Sequence, residues 1–291
     1  MALTVNTNTA AINALTNYQH TNRSLNNSFQ KISSGLRITK AADDAAGLAV
    51  AENLDAETQS LRQARRNIND GISILNVAEE GLNQVKGIAK RVRELLVEGS
   101  SETLNSTERS YVMTEIQALG SEFDRVTRTS EFNGIKLHDM NLGSYTINVQ
   151  VGAHNTSNDR ISFNVGGTEG MGLAWQSAGG TGGPGGANDI WLSLGANADM
   201  MGAAISKADN HLNAFNNGVT RFGAAMNRLE SALNNIEVYT ENLESAQSQI
   251  RDADFAHETA EMAKYQIMAQ AGTSVLAQAN QINQGALRLL G

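Results

Sequence analysis

At 291 residues with no cysteine and a net charge of -8, the chain excludes a disulfide framework, a thiolate nucleophile and a thiolate metal site, and its acidity argues against nucleic acid as the main partner, because phosphate binding needs concentrated Lys and Arg. Aromatic residues are only 5% and Pro184 is the single proline, a combination that favours long uninterrupted helices over a turn-rich globule.

The first residues, Met1-Ala2-Leu3-Thr4-Val5-Asn6, have neither a basic n-region nor a continuous apolar stretch, so no cleaved secretory signal is expected. The chain then stays inside the cell or leaves by another route. Residues 1 to 22 lack Asp, Glu, Lys and Arg, and Asn and Thr fill ten of those 22 positions. Between residues 11 and 36 a 4-3 spacing selects Ala11, Leu15, Tyr18, Asn22, Leu25, Phe29, Ile32 and Leu36, a helical seam in which only Asn22 is polar. Gly35 suits a helix C-terminus, and Asp43 and Asp44 suit the start of the next helix. An irregular connector is expected over 34 to 43.

From Asp44 to Glu98 the seam reads Leu54, Glu57, Leu61, Ala64, Ile68, Gly71, Leu75, Ala78, Leu82, Val85, Ala89, Val92 and Leu96. Ile72, Ile74, Val77, Ile88 and Leu95 lie off it, so this helix should touch more than one neighbour. Gly99 and Ser100 end it. Asn105, with Glu108 three residues on, forms a capping-box pattern that opens a helix with apolar positions Val112, Ile116, Leu119, Phe123 and Val126.

The period then changes to two. Tyr145, Ile147, Val149 and Val151 alternate with polar residues, as do Ile161, Phe163 and Val165, across a polar loop at 154 to 159; this spacing predicts a β-hairpin. Between Trp175 and Trp191 comes the glycine-rich run 178 to 187. No Lys-Ser/Thr and no helix start follows it, so a surface loop is expected rather than a phosphate cradle.

From about 199 the helical seam returns with Met201, Ile205, Ala208, Leu212, Phe215, Val219, Phe222, Met226, Leu229, Leu233, Ile236, Thr240, Leu243, Gln247 and Ile250. A second connector at Arg251-Asp252-Ala253 leads through Asp254 into a final helix whose apolar positions include Met268, Ala271, Val275, Leu276, Ala279, Ile282, Ala286, Leu287, Leu289 and Leu290. Residues 265 to 287 of that helix carry no charge. Their length would suit a membrane span, but Gln266, Gln270, Gln278, Asn280, Gln281, Asn283 and Gln284 would be left unsatisfied in hydrocarbon, so no membrane span is expected.

The two halves mirror each other: an uncharged end helix, a short connector and a long helix. The fold class is therefore mainly α, a long antiparallel helical hairpin or coiled-coil bundle with a small β-hairpin region at the turning point and both termini at one end. The expected domains are 1–33 with 254–291 as a terminal-helix pair; 34–43 and 251–253 as connectors; 44–137 with 199–250 as a helical rod; and 138–198 as the hairpin and glycine-rich region of that rod. The terminal pair has too few large side chains to offset its ordering entropy, which implies that it orders against further copies of the chain. Leu15, Leu25, Phe29, Ile32, Met268, Val275, Leu276, Ile282 and Leu289 are the residues expected to make those polymerisation contacts.

Several sharper chemical readings give way to plainer ones. His257-Glu258-Thr259-Ala260-Glu261 lacks the second His of a zinc-peptidase helix, and acidic residues near a helix start need no metal. His20, His138, His154 and His211 show no ligand spacing, and no G-x-S-x-G elbow marks a nucleophile. Lys86, Lys90, Arg91 and Arg93 are interleaved with Glu94 and Glu98, as on a solvated helix face. Neither an enzyme nor a cofactor is expected.

Seven stretches resemble bacterial flagellin: Lys31 to Thr39 (KISSGLRIT), Asp43 to Gly47 (DDAAG), Ala64 to Asn83 (ARRNINDGISILNVAEEGLN), Arg91 to Leu95 (RVREL), Phe123 to Val126 (FDRV), Phe132 to Leu137 (FNGIKL) and Ala271 to Gln281 (AGTSVLAQANQ). Motifs of this length in this order are specific. The resemblance implies the self-assembling subunit of a helical flagellar filament, in a short core-only form without a separate variable outer domain. Terminal helices would line an inner tube, and export would proceed unfolded through the flagellar type III apparatus to an extracellular location. Implied partners are other copies of the chain, the flagellar cap and hook-junction proteins, an export chaperone on the C-terminal helices and, through Arg91, Leu95 and Glu115, an innate immune receptor of animals. The alternative within the same machinery is a hook-filament junction protein, against which the near-complete AGTSVLAQANQ motif argues.

Overall fold

The computed structural model describes residues 8–138, 145–165 and 198–290, with 282–290 described as backbone only. The run 178 to 187, Trp175, Trp191 and the side chains of Ile282 and Leu289 lie outside the described residues. Among those described, the chain forms α1 (Thr9–Ser34), α2 (Ala45–Gly99), α3 (Ser106–Thr129), β1 (Glu131–Phe132), β2 (Ile135–Lys136), β3 (Tyr145–Gln150), β4 (Arg160–Val165), α4 (Ala198–Arg251) and α5 (Phe255–Leu290). They fall into two compact units, one comprising the chain through Gln59 together with Thr240 onward, the other running from Ser60 to Tyr239.

In the second unit, the stripe predicted on α2 is the stripe that is buried. Leu61, Ala64, Ile68, Leu75, Ala78, Leu82, Val85, Ala89, Val92 and Leu96 are all in the core. It faces α4, which runs antiparallel: a Cβ on Gly71 would lie 3.4 Å from Leu229, and one on Gly99 would meet Met201. On α4 the buried positions Met201, Ala208, Phe215, Phe222, Leu229 and Ile236 recur every seven residues, the repeat of a coiled-coil seam. The intervening seam positions differ from the predicted ones by one residue. Ala204, His211, Gly218 and Ala225 are buried, whereas Ile205, Leu212, Val219 and Met226 are half-buried beside them. At three of these four positions a small residue is buried between the large heptad residues, and the larger apolar neighbour beside it is only half-buried.

α3 returns along α2. Its start is fixed by the predicted capping box, in which Glu108 N–H donates to Asn105 Oδ1 at 2.9 Å and Asn105 N–H donates to Glu108 Oε2 at 2.9 Å. Val112, Met113 and Ile116 join Val92, Leu95, Leu96 and Met201 in one cluster, and Leu119 and Ile205 pack on its margin. Further along, the Phe123 and Phe215 rings stand 6.2 Å apart.

A hairpin not anticipated from the sequence follows α3. β1 and β2 pair around Asn133 (φ 49°) and Gly134 (φ 78°), the two positive φ values of a two-residue type I′ turn, and the Asn-Gly pair is its signal. The turn delivers His138 to α2, where Nε2–H donates to the Ala78 carbonyl at 2.7 Å. The close fit depends on Gly81, where a Cβ would lie 2.8 Å from both His138 Nε2 and Ser130 Oγ. β3 and β4 form the predicted hairpin with Val149 opposite Ile161 and Ile147 opposite Phe163. It stands at the turning point in chain order, and in space it folds back along α2, where Asn67 Nδ2 donates to the Gln150 carbonyl at 3.4 Å.

Two buried imidazoles make this unit sensitive to acid. Burial pushes the His138 pKa down despite the Ala78 bond. Burial, followed by the charge of Lys207, pushes His211 from 6.5 to about 4. Between those values the unfolded chain holds more protons than the folded one, so stability falls as the pH drops from 6.5 towards 4. Thermal unfolding of the unassembled chain should show a midpoint that declines across this window, and His211→Gln should make the decline shallower. An unchanged slope in that variant would assign the acid sensitivity elsewhere.

Candidate polymerisation surface

The ends of the chain are brought together by two short connectors. α1 stops at Gly35, which adopts φ 71° and donates its N–H to the Lys31 carbonyl at 2.9 Å, a left-handed C-cap suited to glycine. Leu36 then pairs with Asp252 in an isolated antiparallel bridge. Arg37 N–H donates to the Arg251 carbonyl at 2.7 Å, and Ala253 N–H donates to the Gly35 carbonyl at 2.9 Å. The Arg37 side chain reaches the Ile250 carbonyl at 2.6 Å, while Arg251 pairs with Glu52 at 3.1 Å.

The acidic residues of this region serve the backbone. Asp43 accepts from Thr39 N–H, Lys40 N–H and the Thr39 hydroxyl. Those bonds hold its carboxyl below the usual range. Asp44 caps α2 through Gly47 N–H at 2.9 Å, and Asp254 caps α5 through Ala256 N–H at 2.9 Å and His257 N–H at 3.2 Å. Glu258 lies 3.9 Å from Lys31 and Glu261 pairs with Lys264 at 3.0 Å. The carboxylates around His257 are thus engaged as caps and ion pairs.

From these connectors α1 and α5 run antiparallel. Lys31 lies beside Glu258, a Cβ on Gly272 would stand 3.2 Å from Tyr18, and Asn8 Nδ2 donates to the Ala279 carbonyl at 3.0 Å. The inward positions on α1 are Ala11, Ala14, Tyr18, Thr21, Leu25, Ser28 and Ile32, and on α5 Met262, Tyr265, Ala269, Gly272, Leu276 and Ala279. The α1 seam is again shifted by one residue at alternate positions from the predicted one. Thr21 and Ser28 are buried where Asn22 and Phe29 were expected.

The candidate polymerisation residues therefore divide. Leu25, Ile32 and Leu276 are half-buried in the pair's own seam. Leu15 (45% exposed), Phe29 (63%), Met268 (45%) and Val275 (56%) are turned outward, joined by Ile12, Phe255 and Ile267. Sequence periodicity missed the distinction because it selects apolar residues, whereas close approach between two helices selects small ones. The seam of this pair mixes small residues with Tyr18, Leu25, Tyr265 and Leu276, and its flanks present exposed apolar side chains of the kind that mark an interaction surface.

The residues singled out for receptor contact lie in the other unit. Arg91 is exposed and donates to Glu115 at 2.8 Å and to Glu94 at 3.3 Å; the Glu115 bond is the main cause of its raised pKa. Leu95 is 1% exposed within the Val92, Leu96, Val112 and Ile116 cluster. It supports the helix that displays Arg91 and offers no surface itself.

The fold and the flanks define a helical structural subunit, and comparison with known proteins specifies its kind. Residues 5–141 match the bacterial flagellin N-terminal helical region, and residues 205–290 match the bacterial flagellin C-terminal helical region. The flagellin of Bacillus subtilis (strain 168) is 35% identical over 305 residues, covering 98% of this chain and 99% of that protein. The flagellar filament 33 kDa core protein of Treponema phagedenis is 34% identical over 292 residues with the same coverage. A solved structure described as a flagellar hook-associated protein from Vibrio parahaemolyticus shares the fold, with a TM-score of 0.58 at 14% identity, covering 72% of this chain and 100% of that one. The chain belongs to the bacterial flagellin family, which is a family of structural proteins and not of enzymes.

The burial difference within RVREL has a measurable consequence. Leu95→Ala should cost about 2–5 kcal/mol of unfolding free energy through the cavity it leaves. Glu115→Gln, at an exposed, solvent-screened ion pair, should cost far less. Chemical denaturation of the unassembled chain distinguishes the two; equal losses would mean that the Arg91–Glu115 pair is a structural element rather than a surface feature.

Proposed function

We propose that the chain is the building block of a helical flagellar filament, with α1 and α5 forming the inner layer and residues 44–137 with 199–250 forming a surrounding rod. The observation that carries this reading is the orientation of the terminal pair. Its seam consumes the small residues, and Leu15, Phe29, Met268 and Val275 are left facing away from it. A residue-rich apolar flank in a chain of net charge -8 is stable in water only when covered.

The same flank accounts for the remaining partners in the proposal. Before assembly it needs a cover, which an export chaperone on the C-terminal helices supplies. Passage through the type III apparatus in an unfolded state avoids presenting it at all. The cap and the hook-junction proteins are then the two ends against which the same surfaces pack, in a filament outside the cell. Recognition by an innate immune receptor, in this reading, uses exposed Arg91 and Glu115 and reaches Leu95 only through the helix it supports.

Electron microscopy of purified protein, after heating and slow return to neutral, salt-containing buffer, should reveal long filaments. Persistent monomers would instead indicate a hook-filament junction protein. Val275→Asp or Phe29→Asp should abolish the filaments while circular dichroism retains the signal of the long helices, because a carboxylate buried without a partner costs several kcal/mol at every repeat. Normal filaments from both variants would exclude these flanks from the subunit contact.

A further inference from the structure

We infer that Met268 is an oxidation-sensitive site that controls whether a subunit can enter the polymer. The inference rests on the filament reading above and adds a covalent modification to it. Met268 is 45% exposed on α5, next to Ile267 at 67%, with Val275 at 56% two turns along. These side chains stand within the run 265 to 287, which has no charged residue. The thioether is thus open to solvent in the free chain and belongs to the flank that loses solvent in the assembled one.

A peroxide, taken here as the oxidant, reaches the Met268 sulfur in the free chain. One S–O bond forms as the peroxide O–O bond breaks, and the departing hydroxide takes up the proton of the transferred oxygen and leaves as water. Sulfur loses two electrons and the peroxide gains them. The product sulfoxide replaces a flexible apolar group with a strongly polar acceptor. The donors one turn before it on α5, Lys264 and Tyr265, are both engaged by Glu261, and one turn after it stand Ala271 and Gly272, so burial against another copy leaves the S–O group without a donor from its own helix face.

The chain contains its own controls. Met113 and Met201 are 9% and 0% exposed in the α2–α3–α4 cluster, whereas Met200 is 50% exposed on α4 in the other unit and is not part of the α1–α5 pair. Met200 and Met268 should therefore oxidise together in the free chain, ahead of the buried pair, but only one of the two should exclude a subunit from the polymer.

The test uses the natural sequence. Unassembled protein is treated with hydrogen peroxide until about half of Met268 is converted, then allowed to elongate filament seeds made from untreated protein. Filaments and supernatant are separated and their peptides compared by mass spectrometry. Met268 sulfoxide should be depleted about tenfold or more in the filaments relative to the supernatant, as expected for one buried unsatisfied acceptor, while Met200 sulfoxide distributes evenly. Methionine sulfoxide reductase should return the excluded fraction to assembly. Even distribution of Met268 sulfoxide, in protein whose untreated form makes filaments, overturns the inference alone. Failure of the untreated protein to elongate the seeds overturns the filament reading first.

Discussion

The constraint on which the rest of the structure depends is the distance at which two long helices can approach. In both units side chains with little bulk take alternate positions of the seam, about seven residues apart: Ala204, Gly218 and Ala225 on α4, Ala14, Thr21 and Ser28 on α1, and Gly272 and Ala279 on α5. Small seam residues permit close packing of backbones, but they contribute little apolar area. On α4 Met201, Phe215, Phe222 and Leu229 alternate with them and are buried, whereas on α1 and α5 Leu15, Phe29, Met268 and Val275 are turned to the flanks. What covers those flanks decides how each unit behaves.

In the unit from Ser60 to Tyr239 the chain covers them itself. α3 lies on one side, so that Leu119, Ile88 and Ile205 pack against the Val92–Ile116–Met201 cluster. The Asn133-Gly134 turn and the β3–β4 hairpin supply further cover, through Leu137, His138 and Val149. The cost is a pair of buried imidazoles, one held by the Ala78 carbonyl, and a glycine at position 81 that leaves room for the ring. In the unit built from the two chain ends, α5 packs against α1, and Leu15, Phe29, Met268 and Val275 stay exposed on its flanks. The same seam chemistry therefore yields a finished core in one unit and an unfinished one in the other.

Much of this was legible in the residues. The α2 stripe from Leu61 to Leu96 was read correctly because that helix has large apolar residues at the seam itself, where periodicity and burial coincide. The caps at Gly35, Asp44 and Asn105 were legible because each is a local device that needs only its own few neighbours. Ser28, Thr21 and His211 were not, since a polar residue at a seam is recognised only once its partner helix is known. The Leu36–Asp252 bridge joins residues more than two hundred positions apart and has no periodic signature. The β1–β2 hairpin did have one, the Asn-Gly pair in FNGIKL, which was available as a turn signal. At the candidate site, periodicity identified which helices expose apolar residues and could not divide Leu25 and Leu276 from Phe29 and Val275, because that division depends on the one-residue shift of the seam.

The chemistry of the two flanks bears on the kind of assembly they support. The α1 flank carries Ile12, Leu15 and Phe29; the α5 flank carries Phe255, Ile267, Met268 and Val275. Each includes an aromatic ring, but the thioether and the β-branched pair Ile267 and Val275 belong to α5, so the two surfaces are not copies of each other. A contact that joined like to like would be two-fold symmetric and would close at a dimer. A contact that seats the α1 flank of one subunit on the α5 flank of the next is heterologous, and each subunit added leaves one flank of each kind free for another. Unless the rotation per step returns to its starting point, such a contact does not close and runs on as a helix. In the proposed filament, open growth is what a heterologous contact between these two unlike flanks produces.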